Sequence, residues 1–182
     1  MATSFLHPSL ILIGGGLILP LIREPFRKLY LCTVPILAFL AVLALNWQPG
    51  IHGQVLFMEQ WTLTFGRVDN LSMIFGFIMG LMAIIGTIYG LHVKDSGQHL
   101  AAWFYVAGSL GVIYAGDYLV LFLFWELMAF ASTFLIWCNK EKGALAAGYR
   151  YLLVHTFGGV LLLLGFVLRY QVTGDLSFTL LD

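Results

Sequence analysis

The sequence predicts an all-α polytopic membrane protein, with about six transmembrane helices and a small β-hairpin on the outer face. Three observations predict it. Of 182 residues, 60% are hydrophobic and 10% charged, where a soluble domain carries about 25% charged residues. Mean hydropathy is +0.93, which leaves too little polar surface to face water. Apolar runs recur at lengths near the roughly 20 residues that a helix needs to cross a hydrocarbon layer about 30 Å thick.

Six runs carry the prediction: Pro8–Ile22, Leu29–Trp47, Leu71–His92, Leu100–Ala115, Tyr118–Cys138 and Ala144–Arg169. Backbone groups in lipid must be satisfied within the segment, so runs of this length are helices rather than barrel strands. The first and fourth are short and need polar flanks or tilt to span. The N-terminus lacks a charged n-region and a small-residue cleavage site, so the first run is expected to be a retained helix. The longest loop, Gln48–Asn70, holds Val55–Phe57 and Trp61–Phe65, which are placed to pair as the hairpin. Asp69, Asn70 and Asp117 precede helices and read as N-caps. Residues 1–182 form one expected membrane domain, with no linker or low-complexity tract.

Lys and Arg gather on one side if the helices alternate: Arg23, Arg27, Lys28, Lys94, Lys140, Lys142 and the early helix-six Arg150. Arg67 and Arg169 fall on the other. The basic side is therefore cytoplasmic and both termini lie outside. Trp47, Trp103 and Trp137 lie near helix ends, as interfacial anchors do. Formal net charge is zero, so nucleic acid is not an expected partner. Cys32 and Cys138 have no CxxC spacing, and no metal cluster, cofactor motif or nucleophile–base set is visible. Gly14–Gly16 lacks the Lys-Ser/Thr of a phosphate loop.

Gly76 and Gly80 form one GxxxG, and Gly86 and Gly90 another, spacings that let helices approach closely in lipid. Glu126 stands alone inside the fifth run. A charge at mid-membrane depth costs at least about 2.5–3.5 kcal/mol, and no lysine lies within a turn to offset it. It must face a protein interior or a water-filled cavity. There it either exchanges protons, because burial and a basic partner act on a carboxylate in opposite directions, or stays neutral in an interhelical hydrogen bond. The turn between helices five and six centres on Glu141; Glu126 lies 15 residues before it and His155 lies 14 after it. The two are thus at nearly equal depth in antiparallel neighbours, and a Glu–His relay is geometrically open. His155 is either a proton carrier or a neutral ring on a backbone carbonyl. Arg150 either snorkels or lines a path entrance.

The segments RVDNLSMIFGFI (Arg67–Ile78), LHVKDSGQH (Leu91–His99), AGDYLVLFLFWELMAFASTFLIW (Ala115–Trp137) and YRYLLVHTFGGVLLLLG (Tyr149–Gly165) together resemble the antiporter-like membrane subunits. That family includes the D subunit of Mrp-type cation/proton antiporters, the type this sequence is most similar to, and the proton-pumping subunits of respiratory complex I. The resemblance implies a multisubunit complex that moves protons, with Na+ or K+ as a coupled ion. It implies that Glu126 belongs to a midplane chain of ionisable groups whose next member is a helix-seven lysine. His155 falls in the matching helix-six segment. The resemblance covers the N-terminal six-helix part, and Gln171–Asp182 resembles the loop toward helix seven. Either another polypeptide supplies the later helices, or this chain is a shortened non-catalytic scaffold, or the sequence is a fragment of a longer one. Quinone, flavin or iron–sulfur chemistry, if the complex performs any, belongs to other subunits, and no cofactor is expected here.

Overall fold

The computed structural model describes residues 6–57 and 61–178. Six helices and one hairpin follow in chain order: α1 (Pro8–Ile18), α2 (Arg27–Asn46), β1 (Gly50–Phe57), β2 (Trp61–Val68), α3 (Asn70–Gly90), α4 (Ser96–Tyr114), α5 (Tyr118–Cys138) and α6 (Ala144–Thr173). A short 3-10 turn, Leu19–Leu21, closes α1 four residues before the expected end at Ile22. Among the described residues four helices, α2, α3, α5 and α6, are long and apolar enough to cross a membrane.

Three helix starts, those of α3, α4 and α5, are set by aspartate side chains. Asp69 accepts from the Ser72 amide at 2.8 Å, and the Ser72 hydroxyl accepts from the Asp69 amide at 2.8 Å, a reciprocal capping box. Asp95 caps α4 by accepting from Gly97, a start not anticipated from the sequence. Asp117 caps α5 by accepting from Val120 at 2.8 Å, while its other oxygen accepts the Thr64 amide of β2 at 2.6 Å. One buried carboxylate thus ties the hairpin to the α4–α5 turn. Burial pushes the Asp117 carboxyl above its ordinary range, against the hydrogen bonds it accepts. α6 ends at Gly174, whose φ of 67° is left-handed backbone suited to glycine.

The strands pair antiparallel from Gly50↔Val68 to Phe57↔Trp61, so the hairpin is longer than the stretch predicted. The end of the chain joins this cap: Tyr118 donates its amide to Leu176 at 3.0 Å, and Arg67 donates to the Phe178 carbonyl at 3.2 Å. His7, the hairpin, the α4–α5 turn and residues 175–178 therefore sit at one end of the bundle.

α4 is the central helix, packed on α1, α3 and α5. Its Ala107, Leu110 and Tyr114 are fully buried. Lipid is as apolar as leucine, so packing and interhelical hydrogen bonds, averaging about 0.6 kcal/mol each, hold the helices together. Tyr114 donates to Asn46 at 2.9 Å, Asn46 donates to the Met73 carbonyl at 3.1 Å, and Ser9 donates to the Ala107 carbonyl at 2.6 Å. Trp103 corrects one expectation. It is 2% exposed and donates to Thr87 at 3.0 Å, so it is an interhelical clasp rather than an interfacial anchor. Its position near a helix end concealed that α4 is enclosed by neighbours on several sides.

Candidate functional site

α5 and α6 pack as antiparallel neighbours joined by the turn around Glu141. Glu126 projects from the middle of α5 into this seam. Its Oε1 is buried and, among the described residues, has no hydrogen-bond partner. What makes room for it is Gly159 of α6: a Cβ there would collide with Oε1 and stand 3.3 Å from the carboxyl carbon.

His155 lies one turn before Gly159 on the same face of α6. Its Nε2 is likewise buried and unpartnered. Two aromatic rings flank the imidazole. Trp125 of α5 has its ring centre 6.1 Å away with a 31° interplanar angle, and Tyr151, one turn back on α6, lies at 5.7 Å and 30°. The Tyr151 hydroxyl is 2.9 Å from Ser132 Oγ on α5, and Ser132 donates to the Met128 and Ala129 carbonyls at 2.8 and 2.9 Å. With the Ser132 proton so engaged, Tyr151 is the donor of the pair.

Equal backbone depth does not bring the two titratable groups into contact. Side chains lean toward the N-terminus of their own helix, and α5 and α6 run in opposite directions. Glu126 therefore leans toward the hairpin end, against Gly159, while His155 leans toward the Glu141 turn, against Tyr151. Since neither Glu126 Oε1 nor His155 Nε2 has a partner, proton exchange between these atoms needs water or a side-chain movement. A largely apolar groove of about 600 Å³ runs beside the seam, lined by Tyr118, Trp125, His155, Gly158 and Gly159 but not by Glu126.

The remaining predicted residues lie apart from this seam. Arg150 is exposed near the start of α6. A Cβ on Gly76 would meet the Tyr114 hydroxyl, and one on Gly80 would come within 2.7 Å of the Phe39 ring. Gly90 faces His99 Cε1 at 3.5 Å, an ordinary contact, and Gly86 has nothing within 4 Å. The two GxxxG pairs thus differ: the first seats side chains of α4 and α2, while the second leaves Gly86 open. The sequence reading passed over Trp125, Ser132 and Tyr151, and gave Gly159 no carboxylate to seat. Gly159 and Tyr151 stand one turn either side of His155, a signal available in the spacing.

Residues 115–182, which include Glu126 and His155, match the family model described as NADH:quinone oxidoreductase/Mrp antiporter, transmembrane. The chain is related to the antiporter-like membrane subunits. It is 26% identical to the Na(+)/H(+) antiporter subunit A1 of Staphylococcus haemolyticus over 188 residues, 94% of this chain and 23% of that protein. Among solved structures, a chain of the membrane-bound sulfane sulfur reductase, an archaeal respiratory membrane complex, superposes with a TM-score of 0.80 at 27% identity. That match covers 94% of this chain and 28% of the other. A chain of the Mrp complex from Dietzia sp. DQ12-45-1b superposes with a TM-score of 0.73 at 23% identity, over 93% of this chain and 20% of the other, which shows the fold alone.

This chain thus spans about a quarter of the curated relative's length. The fold is that of antiporter-like subunits of multisubunit membrane complexes, in a multi-pass membrane protein. The relative named above carries the letter A where the sequence resemblance pointed to D, and the match leaves the letter open.

Proposed function

We propose that this chain supplies part of a proton path, or of a cation/proton antiport path, in an ion-translocating complex of a bacterial-type inner membrane. Glu126 takes up and releases the proton, and His155 is the second station. The observation that carries this reading is the buried Glu126 Oε1, unpartnered among the described residues and seated against Gly159. A carboxylate retained for structure would be expected to have its oxygens satisfied.

The partners are other membrane subunits, the lipid bilayer, protons and Na+ or K+. α6 packs chiefly on α5 and presents Leu153, Val154 and Phe157 at 67–73% exposure. That face is open to later helices from another polypeptide or a continuation of this one. A basic residue brought there would balance the Glu126 charge. Arg150 stands near the α6 start as a path-entrance candidate.

The test is Glu126→Gln in the assembled complex. Translocation should fall while assembly persists. Unchanged translocation by a fully assembled Gln variant removes Glu126 from the path. The second reading, a non-catalytic scaffold, rests on the open face of α3 at Gly86. It predicts intact flux in Glu126→Gln and impaired assembly when Gly86 is made bulky.

A further inference from the structure

The seam holds more than the two titratable groups. Trp125 and Tyr151 both pack beside the His155 ring, with ring centres 6.1 and 5.7 Å from it and planes tilted by about 30°. One flank comes from α5 and the other from α6. The α6 flank is itself fastened to α5, because Tyr151 donates to Ser132, whose own proton is held by the α5 backbone. The rings and their anchor thus bridge the two helices one turn from the Glu126 carboxylate.

We infer that Trp125, Tyr151 and Ser132 are positioning residues for His155: the two rings form an aromatic slot that fixes the imidazole in the groove, and Ser132 fixes Tyr151. The inference rests on the proposed proton path and extends it by three residues. A free imidazole turns about two side-chain bonds, and neighbouring rings restrict that motion, so the buried Nε2 is held in one place. Of the titratable side chains on these two helices, Tyr151 of α6 lies against the imidazole, while Glu126 of α5 rests on Gly159 one turn away. Arg150, five positions before His155, lies about 140° round the helix. The bland alternative is that the rings merely glue α5 to α6.

The experiment compares Ser132→Ala, Tyr151→Phe, Tyr151→Leu and Trp125→Leu in the assembled complex in membrane vesicles, each with and without His155→Gln. Proton translocation is measured as a function of pH, normalised to assembled complex. Ser132→Ala and Tyr151→Phe keep the ring and lose its anchor, and are expected to slow translocation severalfold. Tyr151→Leu and Trp125→Leu each remove one flank. They should slow translocation at least as much as the two anchor variants do. In the His155→Gln background none of the four should have a further effect. A mere glue role predicts the opposite, equal losses with or without His155, and that result overturns the slot. If Tyr151→Leu fails to assemble, Ser132→Ala and Tyr151→Phe decide, since neither removes packing volume from the seam. Glu126→Gln, run in parallel, separates the two levels. Normal flux in that variant ends the proton-path reading itself, whereas loss of flux there with wild-type behaviour in all four slot variants ends only the present inference.

Discussion

Gly159→Ala offers a small perturbation with a worked consequence. The new Cβ collides with Glu126 Oε1, lies 3.3 Å from the carboxyl carbon, and stands 3.8 Å from Phe122 Cε2. The backbone need not move, because the obstructing atom is the end of a three-torsion side chain. Displacing that carboxyl group costs about 0.5–1.5 kcal/mol if it is forced off a rotamer. Replacing a mid-helix glycine with alanine returns about 1 kcal/mol of helix propensity. The two nearly cancel, so α5–α6 packing and assembly should survive. Function should not, because the carboxylate has left its seat. If the displacement adds about 1.4 kcal/mol to the proton-transfer barrier, the rate falls about tenfold. Gly158→Ala is the control: it has nothing within 4 Å, so it should leave rate and assembly unchanged. The assay is proton translocation by the purified complex in proteoliposomes, with subunit content measured in the same preparation. A Gly159→Ala complex that is fully assembled and translocates at the wild-type rate would refute the link between the Glu126 seat and transport.

Other outcomes follow from the same geometry. Gly80→Leu, which has no room beside Phe39, should reduce the yield of folded protein, and Gly86→Leu should not; detergent size-exclusion profiles compare them. Asp117→Ala leaves the buried amides of Thr64 and Val120 without their acceptor, at about 1–3 kcal/mol each, and should lower the thermal unfolding midpoint more than Asp69→Ala does. His7 caps α1 by accepting from Ser9 at 3.2 Å, and burial holds its pKa down to about 4 from 6.5. The unfolded chain therefore binds a proton there at higher pH than the folded one does. Stability should fall as pH drops from about 6.5 toward 4, and His7→Gln should flatten that part of the melting-temperature curve.

Much of this architecture is written in residue order. Apolar run length gave all six helices, because in lipid the backbone has no other partner than its own helix. The start of α1, both bounds of α5 and the start of α6 fall where composition placed them. The hairpin was legible in Val55–Phe57 and Trp61–Phe65, but its extent depends on Thr64 meeting Asp117, a contact between residues 53 positions apart. Trp103 was misplaced because depth along a helix says nothing of which neighbours surround it. Glu126 and His155 were visible as isolated polar groups, and their shared depth followed from counting out from Glu141. Their side-chain offset did not follow from counting, since it arises from the opposite lean of antiparallel helices. The aromatic slot was hidden for a related reason: Trp125 and Tyr151 look like ordinary lipid-facing rings until the rotation of each helix is known.

The central proposal is that this chain works as one part of a larger ion-translocating membrane assembly through Glu126. The most direct measurement is native mass spectrometry of the complex purified through this chain in mild detergent. The account predicts at least one further membrane polypeptide at fixed stoichiometry, carrying additional helices and a basic residue at membrane depth. Recovery of this chain alone, or only as a self-oligomer, under conditions where it is folded would contradict it.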